Sequence, residues 1–162
     1  MAIDIFLRVD GIEGESTDDK HKNEIDILAW SWGITQSGTT HMGPGAGSGK
    51  ASIQDITLTK YVDKATHALI KACTSGKHIA SADLTVRKAG GDSQVEYIKI
   101  KLKEIIVTSY TTGGSSDGLD RITETLSFNF AEFVIDYTQQ TKEGTAGAKV
   151  SAGWNAAKNV AV

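Results

Sequence analysis

Gly114-Ser115-Ser116-Asp117-Gly118 has the G-x-S-x-G spacing of a nucleophile elbow, in which a tight strand-to-helix turn exposes a serine for attack on a carbonyl carbon. That chemistry needs a histidine base, which follows the serine in hydrolases of this type. All four histidines, His21, His41, His67 and His78, precede it, and the residues after Gly118 alternate like another strand. A strand-loop-strand setting does not hold the elbow, so Ser116 is read as part of a flexible loop. Gly49-Lys50 suggests a phosphate-binding loop, whose backbone N–H groups wrap phosphates while a Ser or Thr holds magnesium. The pattern fails at both ends, where Pro44 and Ala51 stand in place of the first glycine and the hydroxyl. The loop also leads into a strand, which excludes the glycine-rich dinucleotide fingerprint at the head of a βαβ unit. His67, Cys73 and His78 gather around one helical segment, but no second cysteine or carboxylate completes a zinc spacing. No catalytic residue, cofactor or metal is expected.

Composition narrows the partners. The 162 residues carry a net charge of -3 with 23% charged residues, a balance that argues against a nucleic-acid binder working by phosphate neutralisation. The single cysteine, Cys73, forms no intrachain disulfide, so folding needs no oxidising compartment. Asp4 and Arg8 interrupt the apolar residues at the N-terminus, which predicts no Sec-type signal peptide. No run reaches the length of a membrane span. A chain of this length is expected to be one domain, 1–162, with a core that needs no staples.

The elements that must position any functional residue read mainly as strands. Ala2 to Val9 alternates with period two, and Gly11 to Asn23 is a polar loop. In Glu24 to Ile34, Leu28, Trp30, Trp32 and Ile34 share a large apolar face, and Ile25, Ile27, Ala29, Ser31 and Gly33 share the other, read as the face of small residues. The tryptophans have the parity of core residues, which weighs against exposed sugar-stacking aromatics. A loop rich in Gly, Ser and Thr follows, then a strand within Ala51 to Tyr61. From Asp63, a candidate N-cap, apolar residues including Leu69 and Cys73 recur at helical spacing up to a C-terminal cap at Gly76. Asp83 to Lys88 and Val95 to Val107 form a hairpin across Ala89-Gly90-Gly91-Asp92. The apolar parity of the second arm switches between Tyr97 and Ile98 and between Leu102 and Ile105. Thr111 to Asp120 is a loop. Ile122 to Tyr137 switches between Phe130 and Phe133 after Leu126 and Phe128, and such switches predict bulges. Gln139 to Ala152 reads as a polar tail before a last strand from Gly153 to Val162. The sum is an all-β protein of about seven to eight strands with one flanking helix, a sandwich or barrel. Its expected core includes Leu28, Trp30, Trp32, Leu69, Phe128 and Phe130.

Several segments in order, EIDILAWSWG at 24–33, His41-Met42-Gly43, Thr59-Lys60-Tyr61, Ser75-Gly76-Lys77-His78, LTVRKAGG at 84–91, Asn129-Phe130-Ala131 and Gly153-Trp154-Asn155, resemble the haemolysin-coregulated protein (Hcp) family of bacterial type VI secretion systems. The chain departs from the family's usual pattern at His67, where proline is frequent, and in a less plain glycine loop at 42–48. The resemblance implies a closed β-barrel with one flanking helix, a homohexameric ring, and rings stacked into a tube inside a contractile sheath. It also implies a VgrG-type spike at the tip, small effector proteins in the lumen, and no catalysis, nucleic acid or membrane partner. The protein would reside in the bacterial cytoplasm before firing and then leave without a signal peptide.

Within that frame the loop Thr35 to Lys50, with Thr39, Thr40, His41, Met42, Gly43, Pro44, Gly45 and Lys50, is the expected arm to the adjacent subunit or ring. Ala29, Ser31 and Gly33 are expected to face the lumen or a neighbouring subunit. The other readings are a monomeric carbohydrate-binding or adhesive β-sandwich, which glycan binding would favour, and a serine hydrolase resting on Ser116.

Overall fold

The structure, a computed structural model, describes residues 3–38, 41, 43, 50–88, 94–118 and 121–162. These residues form eleven strands and one helix. The strands are β1 (Ile3–Val9), β2 (Ile25–Asp26), β3 (Ala29–Ser31), β4 (Ile34–Thr35), β5 (Ser52–Ile53), β6 (Ile56–Tyr61), β7 (Ile79–Lys88), β8 (Val95–Thr112), β9 (Thr123–Gln140), β10 (Ala146–Asn155) and β11 (Val160–Ala161), and the helix is α1 (Thr66–Ser75). The protein is mainly β, as its alternating sequence predicts. The strand count exceeds the expected seven to eight because two stretches read as one strand each are broken, one into β2, β3 and β4 and the other into β5 and β6. The supposed polar tail also contributes β10.

The hydrogen-bonded circuit runs antiparallel from β1 to β7, β8, β9, β6 and β3. One continuous segment makes the return. Asp26 and Ile25 pair with Phe6 and Leu7 of β1, and Ile27 donates its N–H to the Ile5 carbonyl at 3.0 Å. The next residue, Leu28, donates to the Thr59 carbonyl of β6 at 2.8 Å. Neighbouring N–H groups of extended chain point to opposite sides, so residues 25–31 lie between β1 and β6 and close the barrel.

That change of partner overturns one core expectation. Ile25 and Ile27 are buried, and the inward parity then slips by one so that Trp30 and Trp32 pack against the core while half-buried. Leu28 sits at the slip and is turned out, 46% exposed. The supposed large face is therefore no single face: Ile34, at its far end, is also exposed.

The parity switches at Leu102–Ile105 and Phe130–Phe133 predict bulges in β8 and β9, the two longest strands. The register between them shifts only at Val107–Ser109, and at the switches they turn a shared corner instead. Leu102 opposes Phe133 and Ile105 opposes Phe130, and all four side chains are buried. Each strand gains one residue between its two inward positions, so the register is kept while both strands change faces together. Glu104 takes a left-handed φ of 56° at this point. Here β9 also exchanges one neighbour for another: Thr123 to Phe128 pair with β6, and Glu132 to Gln140 pair with β10. At the other switch, Arg87 pairs with Glu96 and Val86 with Ile98, leaving Tyr97 as the bulged residue.

Leu69 and Ala72 of α1 are buried in the same cluster as Leu58, Leu126 and Phe128. The helix proper starts at Thr66, after the expected Asp63, yet Asp63 still caps the turn by accepting the Ala65 N–H at 2.9 Å. Gly76 ends the helix with φ 65°, the left-handed conformation that favours glycine. No helix among the described residues is long and apolar enough to cross a membrane.

Candidate functional site

The segment holding Ser116 is a turn between two antiparallel strands. Ser115 receives the Gly118 N–H on its carbonyl at 3.2 Å, and no helix lies between it and β9 among the described residues. His67 and His78 are exposed and Cys73 is half-buried. Among the described residues no group of three His, Cys, Asp or Glu side chains is arranged to hold a metal.

Two buried ionic clusters that residue spacing does not reveal fasten loops and helix to the barrel. In the first, Lys60 of β6 is fully buried and donates to Glu124 of β9, to Asp63 at 2.9 Å and to the Tyr61 carbonyl at 2.9 Å. Glu124 also accepts the hydroxyls of Thr66 at 2.8 Å and Tyr110 at 2.6 Å. Burial, followed by the bond to Glu124, pushes the Tyr110 phenol up. Every ammonium proton has an acceptor, so the cluster is a satisfied clasp at the start of α1.

In the second cluster, Arg87 of β7 donates to Asp18 at 3.0 and 2.6 Å and to Asp4 at 2.9 Å. The Arg87 bond holds the Asp18 carboxyl at about 2. The Phe6 ring lies 4.8 Å from the guanidinium and stacks at 4.3 Å on His21. The two ring nitrogens of His21 face Glu24 at 2.5 Å and Glu96 at 2.7 Å. These bonds strap residues 13–24 over the outer side of the sheet, which is why Thr85 and Arg87 are buried although they point away from the core.

The remaining outer face carries Lys101 and Lys103 of β8, beside Asp136 and Glu132 of β9 and Lys149 of β10. The Ser151 hydroxyl, then Lys149, holds Asp136 below the usual carboxylate range, and the Asn155 amide, then Lys103, does the same for Glu132. The three lysines face solvent, while Asp136 is buried and Glu132 largely covered beneath them.

The residues singled out for contact are only partly brought together. Thr39, Thr40, Met42, Pro44 and Gly45 lie outside the described residues. His41, Gly43 and Lys50 are exposed. The stems of their loop are tied by the β4–β5 ribbon, where Ile34 pairs with Ile53 and Thr35 with Ser52. Ala29 and Ser31 are exposed on β3, while Gly33 is half-buried, with its α-carbon facing the Gln54 side chain. Leu69, Phe128 and Phe130 are buried. Trp32 donates its indole N–H to the Gln54 carbonyl at 2.9 Å and meets Phe133 edge-on at 4.7 Å.

Between the ribbon and β10 lies an open groove of about 580 Å³, lined by Ile34, Ile53, Phe133, Ala152, Gly153 and Trp154. A Cβ at Gly153 would stand 2.9 Å from the Phe133 carbonyl, so only glycine lets β10 approach there. Beyond Trp154 and Asn155, which pair with β11, the described outer edge of β10 pairs with no strand. Sequence reasoning missed this region because β10 is composed of small and polar residues.

Residues 6–137 match the family described as "Type VI secretion system effector, Hcp". Protein hcp1 of Pseudomonas aeruginosa is 52% identical over 161 residues, 99% of each chain. The crystal structure of Hcp1 from Salmonella typhimurium is 40% identical and superposes with a TM-score of 0.84 over 100% of both chains. The structure of a type six secretion system protein, 32% identical, covers 99% of this chain and 100% of its own with a TM-score of 0.93.

Proposed function

The chain belongs to the Hcp family of the type VI secretion system, and from that premise we propose that it is the structural subunit of the secretion tube. As one domain, 1–162, it forms hexameric rings that stack within a contractile sheath beneath a VgrG-type spike. Contraction expels the rings from the bacterial cytoplasm with small effector proteins in the lumen. The observation that carries this reading is the 52% identity extending over 99% of both chains.

The physical features agree with a structural part. Aliphatic and aromatic side chains fill the barrel, and its buried charges are tied to one another. The loop at 35–50 serves as the arm between copies, and Ala29, Ser31 and Gly33 face the lumen or a neighbour. The chain works without catalysis. Negative-stain microscopy combined with light scattering tests the reading: six-membered rings are expected, and a monomer at micromolar concentration overturns it.

A further inference from the structure

We propose that His21 is a pH-sensitive latch: with a proton on both ring nitrogens it fastens the strap of residues 13–24 to β8, and the loss of one proton frees the strap while the barrel stays folded.

The strap has no hydrophobic hold of its own. Ile12 before it packs against the core and Ile25 after it is buried there, but residues 13–24 include no Ala, Val, Leu, Ile, Met, Phe, Tyr or Trp. The backbone closes on itself, with Gly14 donating to the Asn23 carbonyl and Asn23 to the Ser16 carbonyl, each at 2.8 Å. Its side-chain ties to the barrel and helix are polar. Asp18 holds Arg87 of β7, Glu15 accepts the Lys64 N–H at 2.8 Å ahead of α1, and His21 meets Glu96 of β8 at 2.7 Å. A segment with few buried apolar contacts opens at a lower free energy than the core beside it.

Of these ties, the one at His21 depends on a proton count. Glu24 and Glu96 lie at opposite ring nitrogens, and a carboxylate only accepts, so the two bonds together need an N–H at each nitrogen. A neutral imidazole has a single N–H and would turn its lone pair toward one of the two carboxylates. The ring is confined where it stands, 7% exposed and stacked on Phe6 of β1. Arg87, on the same Phe6 ring, is committed to Asp4 and Asp18, which leaves Glu24 and Glu96 to His21. Lys20 and Lys22, beside His21 on the strap, are exposed, and Lys99 of β8 lines the outer groove that Glu96 also lines.

Histidine is the side chain whose charge changes between about pH 5 and 8. A guanidinium stays charged throughout, and Asp18 titrates at about 2, so the Asp18–Arg87 tie persists across that interval. Only the His21 tie changes. The latch is therefore closed at the acid end and open at the alkaline end, where Phe6, Thr85 and Arg87, buried in the closed form, become accessible.

Hydrogen exchange of the full chain, read by mass spectrometry at about pH 5.5 and about pH 8.5 to bracket the histidine interval and corrected for intrinsic amide rates, tests this. NMR of histidine-labelled protein follows the His21 ring in parallel, with the exposed His67 and His78 as references. Peptides from 13–24 should exchange roughly tenfold faster at the alkaline value, the effect of losing one hydrogen bond to a charged group, over the interval in which the His21 signals move. β7 and β8 should keep their protection. The pH step should vanish in His21→Gln, which has no titrating proton. It should also vanish in Glu96→Gln, whose amide can accept from an N–H or donate to a lone pair, and this variant decides the matter should His21→Gln not fold. Strap exchange indifferent to pH in the parent chain, a step that survives Glu96→Gln, or acceleration of the barrel together with the strap overturns the latch.

Discussion

Lys60 is an expensive residue to bury unless every charge near it is answered, and here each is. Its ammonium meets Glu124 and Asp63, both shielded from solvent. Replacing one partner of such a pair typically costs about 3–5 kcal/mol, because the other charge is left uncompensated. Lys60→Met is accordingly expected to lose that amount, and adding Glu124→Gln should recover part of it by neutralising the stranded carboxylate. Urea unfolding at one protomer concentration measures both; strictly additive losses would mean the two side chains do not act as a pair. Asp18 gives a pH-dependent counterpart. Its carboxyl titrates at about 2 in the folded chain, below the ordinary 3.8, because of its bond to Arg87. A depressed carboxylate takes up its proton in the unfolded chain first, so its stabilisation is present above pH 4 and is lost as pH falls toward 2. Asp18→Asn should therefore flatten the acid limb of the stability curve over that interval, as read from urea midpoints in a pH series. An unchanged slope would show that the Arg87 bond contributes nothing to folding.

Among the elements, the shared corner of β8 and β9 is the feature whose backbone costs most. Glu104 holds φ 56°, a left-handed conformation that costs a residue with a Cβ about 1–2 kcal/mol. Glycine relieves that but adds freedom to the unfolded chain, worth roughly 0.5–1 kcal/mol. Glu104→Gly is thus expected to stabilise by at most about 1.5 kcal/mol, and Glu104→Val to destabilise. Thermal unfolding of both against the parent decides it, and a destabilised glycine variant would show that the Glu104 side chain matters more than its backbone. This corner was legible in the sequence, because paired apolar residues on two strands changed parity at matching places. The tryptophan segment was not. Its alternation is regular, and only the change of neighbour from β1 to β6 explains why Ile27 points in and Leu28 out. The Lys60–Glu124 clasp was equally hidden, since its partners lie 64 residues apart and neither residue type announces burial. The first seven residues of β10, 146–152, went unrecognised because that stretch is exposed throughout and shows no apolar period.

For the whole molecule, the barrel and the loop proposed as the arm between copies are joined only through the stems of that loop. The β4–β5 ribbon ties the stems of the loop at Ile34–Ile53 and Thr35–Ser52 as its own two-stranded sheet. The core cluster is drawn from elsewhere, with only Ile53 of the ribbon packed against it. Shortening the loop beyond the ribbon removes no described residue of that cluster, and loop-closure entropy changes slowly with length. Deleting Met42 to Ser48 should therefore leave the monomer's urea midpoint nearly unchanged. The loss should fall on assembly. Were the arm confined to contacts within one ring, the deletion would yield monomers; if it reaches the next ring, single rings would survive while tubes and export into the medium disappear. Sedimentation and negative-stain microscopy of purified protein separate these two forms of the contact, and assays of the culture medium read export. Full-length tubes with normal export after the deletion would remove the loop from the assembly and leave the exposed faces of the barrel itself to carry every contact between copies.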